Sequence, residues 1–247
     1  MVARKALGLL ITVGLGACLA APPSGVQQLD ASPSDTGNTV DAGFLPPTSS
    51  FGILSGSCGV LGPQDFHAAT PLAQRNAIDF GDRGFDEQEI SPGGAEILEN
   101  GNLGGSSIHS ELVSFEVLAA CEQAELLKTE GEITYRDSGG KKTDMLLRID
   151  ALTIGVSVTR AYGYPPENPY TYDQAFDLLS GKLSDVLLAN ANVAAEDMWE
   201  KQILHVIAYE AEHGAQILAA FEQIDVATKA DTIVIITVTD GNDAFIY

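Results

Sequence analysis

The chain has 247 residues, with 34 Asp and Glu against 13 Lys and Arg, for a formal net charge of −21. A surface that negative repels phosphate backbones, which proteins hold through many Lys and Arg contacts, so nonspecific nucleic-acid binding is disfavoured. Solubility outside the cytoplasm is the simpler cause of the acidity.

Residues 1–18 have the layout of an export signal. Arg4 and Lys5 give a basic start, and Ala6 to Val13 a short apolar run. That run is too short to span a bilayer as a stable helix, and no other stretch of the chain is a candidate span. Leu15-Gly16-Ala17-Cys18 resembles the lipobox of bacterial lipoproteins, which predicts a lipid anchor on Cys18 and membrane attachment through it. An ordinary secretory signal with an incidental Cys is the alternative. Removing Arg4 and Lys5 leaves 11 basic residues against 34 acidic ones, a charge near −23. Residues 19–50 carry Pro22, Pro23, Pro33, Pro46 and Pro47 with few large apolar side chains. Such a segment cannot offset its ordering entropy and is expected to be a disordered tether, its ends about 30 Å apart. Leu19 after the anchor Cys is similar to the outer-membrane sorting pattern, so the expected location is the cell envelope at the outer membrane.

With Cys18 taken as an anchor, Cys58 and Cys121 remain. An even pair in an exported domain suggests a disulfide; a free Cys121 acting as a small apolar residue is the alternative. Residues 51–104 are broken by Gly56, Gly59, Gly62-Pro63, Gly81, Gly84 and Pro92-Gly93-Gly94. They are expected to form a loop-rich arm packed on the core, with a short helix near Ala95 to Glu99.

From Ser107 the pattern becomes regular. Ser106 or Ser107 can cap a helix reaching about Leu127, with Ile108, Phe115 and Leu118 on one face. Glu111 projects among those apolar residues, either as a buried acid or as one at the edge of the stripe. Strands are expected near 132–136, 143–149 and 152–160. The last two make a hairpin around Asp150-Ala151, pairing Ile149 with Leu152, Leu147 with Ile154 and Met145 with Val156 on an apolar face. The same register sets Arg148 opposite Thr153, Leu146 opposite Gly155, Asp144 opposite Ser157 and Lys142 opposite Thr159.

Pro165, Pro166 and Pro169 then mark a loop holding Tyr162, Tyr164, Tyr170 and Tyr172, which either seals onto the core or offers a recognition surface. Thr171 to Gln174 fits a capping box for a helix with Phe176, Leu179, Leu183 and Leu187 inward and Lys182 at the edge of that stripe. A further helix is expected from about Glu196, burying Trp199, Ile203 and Val206, with His205 on its outer side and Gly214 dividing it from a last helix holding Ile217 and Phe221. The β-branched run Thr232 to Val238 suits a buried strand.

The resulting order, αβββα(α)β, and the hairpin's polar end resemble the PD-(D/E)XK nuclease superfamily. That resemblance implies a restriction-endonuclease-like α/β core over residues 105–247, with a mixed sheet flanked by helices. In that superfamily one strand offers an Asp and the next an acid, a spacer and a Lys. Asp144 matches the first position, but Ser157-Val158-Thr159 supplies neither the acid nor the Lys. The resemblance nominates Glu111 and Asp144 as metal ligands, and Lys142 or Lys182 as a relocated lysine. More narrowly, the KKTD, GVSVTRA and terminal FIY motifs are similar to an uncharacterised family of bacteria and eukaryotes. The expected function is a binding or structural module at the envelope, without a cofactor and with an unidentified protein partner. The alternative is a Mg²⁺-dependent phosphodiesterase. No zinc spacing, nucleophile elbow or phosphate loop accompanies His67, His109, His205 and His213 or the Gly-rich stretches.

Overall fold

In the computed structural model, residues 51–103, 106–165 and 168–247 are described. The expected signal peptide, the Cys18 anchor and the tether of residues 19–50 lie outside the described residues, as does Pro166. The elements follow in chain order: β1 (Ile53–Gly56), α1 (Pro63–His67), β2 (Leu72–Asp79), α2 (Pro92–Asn100), α3 (Ile108–Glu122), β3 (Glu125–Thr129), β4 (Met145–Ile149) and β5 (Leu152–Ala161), and then α4 (Tyr172–Asn192), β6 (Lys201–Ala208), α5 (Ala211–Gln223), α6 (Val226–Lys229) and β7 (Ile233–Asp240).

The fold is α/β. Seven strands form one mixed sheet in the order β1-β2-β7-β6-β5-β4-β3. The run β2, β7, β6, β5 is parallel, and antiparallel strands close both edges. On one face Phe115 and Leu118 of α3 pack on Met145, Leu147, Val156, Ile203 and Ile235. On the other, Leu179 and Leu183 of α4 and Ile217 of α5 pack on Leu204, Val206, Val234 and Ile236. Burial on both faces is what parallel strands joined by helical crossovers require.

The hairpin forms in the expected register from Ile149↔Leu152 to Met145↔Val156. Asp150 takes a left-handed backbone (φ 53°) in its two-residue turn, as such turns demand. The α4 capping box also forms: Gln174 N donates to Thr171 Oγ1 at 3.3 Å, and Thr171 N donates to Gln174 Oε1 at 2.9 Å.

Several expectations are corrected. The helix predicted from Glu196 is strand β6, with Trp199 just ahead of it and His205 buried within it rather than on an outer side. All eight of its residues are buried, so neither period 2 nor period 3.6 is visible in KQILHVIA. Gly214 lies inside α5, where a Cβ would sit 3.0 Å from Val238, so its small size permits the helix's close approach to β7. The first long helix stops at Glu122 because Gln123 turns left-handed (φ 55°) and Ala124 N donates back to Leu118 O. The strand expected at 132–136 is therefore β3, seven residues earlier at its start. Ser107 does not cap the helix with its side chain; its hydroxyl bonds to Glu111 instead. Residues 51–103 are not an arm laid over the core, since β1 and β2 are strands of the sheet itself. Cys58, just past β1, is joined to Cys121 near the end of α3 by a disulfide.

Candidate functional site

The regular ladder between β4 and β5 ends at Met145↔Val156, and the two strands part there. Asp144, the next residue, does not continue as a ladder partner of Ser157. Its amide donates to Val156 O at 3.0 Å, and its Oδ2 accepts the Val158 amide at 2.6 Å. The carboxylate thus replaces the backbone partner that the parted strand would have supplied.

Ser157 meets Thr143 instead, Oγ to Oγ1 at 3.1 Å. Thr143 is also clamped by Tyr135, whose hydroxyl accepts the Thr143 amide at 2.8 Å and donates to Thr143 O at 3.3 Å. Lys142 is turned over the Tyr135 ring, its Nζ 5.7 Å from the centroid, rather than laid across from Thr159. Thr159 is buried beside Val206 of β6. The KKTD segment is therefore bound chiefly to its own surroundings.

Three of the nominated groups do share one electrostatic environment. Asp144 keeps some surface exposure, but its carboxyl is enclosed. Burial first, then the nearby charge of Glu111, pushes it up to about 7; the Val158 amide and the Lys182 ammonium pull the other way. Glu111 is buried, 4% exposed, one turn into α3. It accepts from Ser107 Oγ at 2.8 Å and Asn102 Nδ2 at 3.2 Å, yet burial still raises its pKa. Glu130 adds negative charge to both Glu111 and Asp144, and its own Oε2 accepts the Leu103 amide at 3.0 Å. Glu130 stands in a turn after β3 and had no pattern in the sequence to single it out.

Mg²⁺ requires several hard oxygen ligands in near-octahedral geometry. Asp144 and Glu111 offer carboxylates of the right chemistry, but one Asp144 oxygen is committed to Val158 and one Glu111 oxygen to Ser107 and Asn102. Among the described residues, no group of three His, Cys, Asp or Glu side chains is placed to hold a metal ion.

A second polar assembly crosses the core. Thr237 Oγ1 donates to Asn76 Oδ1 at 2.5 Å. His205 Nε2 must then donate to Thr237 (2.6 Å), leaving Nδ1 to accept from Ser114 Oγ (2.8 Å). A Ser beside a His has the makings of an activated nucleophile, but both are 0% exposed, so no substrate reaches them. Burial lowers the His205 pKa to about 3.

Over 123 residues the chain is 44% identical to the AAC-rich mRNA clone AAC4 protein of Dictyostelium discoideum, a match covering 47% of this chain and 18% of that protein. The chain thus spans less than a fifth of that relative's length. No family model and no solved structure matches it.

Proposed function

We propose that this α/β core, whose nuclease-like elements lie in residues 105–247, does not cut nucleic acid and serves as a binding or structural module. In the superfamily the chain resembles, the catalytic Asp and the acid-spacer-Lys motif stand on adjacent strands after a helix that can add a Glu. Here Asp144 immediately precedes β4, β5 carries Ser157-Val158-Thr159, and α3 carries Glu111. One observation weighs most: the Asp144 carboxylate is taken up by the Val158 amide, in a place where burial leaves it only about half ionised near neutral pH. The acid and lysine of the second motif are replaced by neutral hydroxyls, and losing one positioned charged group commonly costs about 10²–10³ in rate. The net charge of −21 further opposes a polyanionic substrate. A lipid anchor at Cys18 would hold the module at the cell envelope, at the outer membrane by the Leu19 pattern, where an unidentified protein is the expected partner. The Cys58–Cys121 disulfide suits an exported domain. Loss of fatty-acid labelling in Cys18→Ser tests the anchor.

A second reading rests on Lys182. Its ammonium bears on Asp144 from α4, where a lysine displaced from the motif would be useful. In that phosphodiesterase, Asp144 and Glu111 would hold Mg²⁺, and Lys182 would orient the attacking water. The two readings separate when the full chain is incubated with single- and double-stranded DNA and RNA in Mg²⁺ or Mn²⁺. No cleavage and no metal-dependent rise in melting temperature is expected. Cleavage that vanishes in both Asp144→Ala and Lys182→Ala would establish the enzyme.

A further inference from the structure

At the opposite end of α3 from Glu111, a cavity of about 280 Å³ is lined by Gly59, Leu61, Pro63, Phe66, Cys121 and Glu122, among others. Glu122 is 8% exposed, and its Oε1 has no hydrogen-bond partner. Gln74 faces it, but the Gln74 amide nitrogen is likewise without a well-formed bond. A carboxyl buried so incompletely satisfied is costly to a fold and calls for a reason.

Its position supplies one. Glu122 follows Cys121 on the helix, and its carboxyl shares the cavity wall with Gly59, the residue after Cys58. The carboxyl thus lines the same cavity as Cys121 and the residue after Cys58. The two cysteines differ in access, since Cys121 is 3% exposed while Cys58 is half-buried.

We propose that the Cys58–Cys121 bridge is a thiol–disulfide exchange site for an external thiol, with Glu122 as its built-in proton donor. The incoming thiolate attacks Cys58 Sγ, forming a mixed disulfide there and breaking the Cys58–Cys121 bond. The electron pair leaves on Cys121 Sγ as a thiolate, and the Glu122 carboxyl delivers its proton to that sulfur. A second thiolate then takes the sulfur bound to Cys58, leaving both cysteines reduced and the external thiol oxidised to its disulfide. Leaving-group basicity controls such exchange, so protonating a buried thiolate as it departs removes its main cost. Burial raises the Glu122 carboxyl to about 7, so it carries a proton over much of the neutral range; the charges facing it are Asp65 of α1, which raises it further, and Asp150 at the cavity's edge.

The test uses the oxidised, folded full chain with reduced glutathione between pH 5.5 and 8.5, quenched with acid and an alkylating agent. Peptide mapping of the wild type should place the glutathione adduct on Cys58. The rate of bridge opening per glutathione thiolate should fall about tenfold as pH rises through 7, and Glu122→Gln should be slow and flat across that range. An adduct on Cys121, a bridge that glutathione does not open in the folded chain, or a flat wild-type profile would each overturn the proposal. The adduct position and the wild-type profile need no variant, so a poorly folding Glu122→Gln would not shield it.

Discussion

Three of the titratable side chains enclosed in this fold respond to pH in opposite directions. Burial raises Asp144 and Glu122 to about 7 and lowers His205 to about 3. For the two acids the folded pKa lies above the unfolded value. Their contribution to stability is full below about pH 4 and is lost as pH rises through 7. For His205 the folded pKa lies below the unfolded value, so stability is full above about pH 6.5 and is lost as pH falls toward 3. Asp144→Asn isolates one of these effects, because the amide stays neutral and keeps an oxygen to accept the Val158 amide. Urea unfolding should show the variant more stable than wild type at pH 8 by about 1–3 kcal/mol, the gain shrinking toward zero at pH 4. A variant less stable at pH 8 would mean that the ionised carboxylate is held by stronger partners than Val158 and Lys182. The residue itself was legible from the hairpin register; its bond to Val158 was not, since nothing in KKTD says that the ladder stops at Met145.

At the scale of the element, α3 is unusual in being buried nearly all round, from Ser110 to Glu122, with three acids and two serines among its buried residues. Several of these polar groups tie it to a different neighbour. Glu111 binds Ser107 and Asn102, Ser114 binds His205 of β6, and Glu116 accepts from both the amide and the hydroxyl of Ser91, at the cap of α2. These bonds orient the helix on the sheet as apolar packing alone would not, since apolar contacts tolerate rotation. Ser114→Ala removes the donor to His205 Nδ1 and leaves a buried acceptor unsatisfied. The expected loss is about 1–3 kcal/mol, read as a lower urea midpoint with the slope unchanged. A loss within 0.5 kcal/mol would show that the network is not under constraint at that point. The apolar positions Phe115 and Leu118 and the acid Glu111 could be read from helical spacing. The partners of the polar positions lie 91 residues away for Ser114 and 25 for Glu116, beyond the reach of any local pattern. The same reason hid β6: a strand covered by α3 on one side and by α4 and α5 on the other loses the alternation by which strands are recognised.

Across the whole molecule, the Cys58–Cys121 bridge spans 63 residues and links the start of the sheet's antiparallel edge to the helix that covers one face. The segment it encloses includes β2, which pairs with β7 along eight residues, so the bridge constrains two elements already held by the sheet. Its contribution therefore comes chiefly from the unfolded chain. Closing a loop of that length removes entropy worth about 4 kcal/mol in the chain-entropy model. The double variant Cys58→Ser/Cys121→Ser should still fold, because the β2–β7 pairing needs neither sulfur and the two cysteines are minor members of the core about Phe51, Phe80 and Val117. Its urea midpoint should fall by roughly 1–2 M at the slopes usual for such chains. Reducing the wild type fully should reproduce the same shift, since both remove the one covalent closure. A much smaller loss would mean that the unfolded chain stays compact without the bridge. If the variant failed to fold, the bridge would instead be needed to bring β1 and β2 onto the sheet, and residues 51–103 would depend on oxidation for their place in the structure.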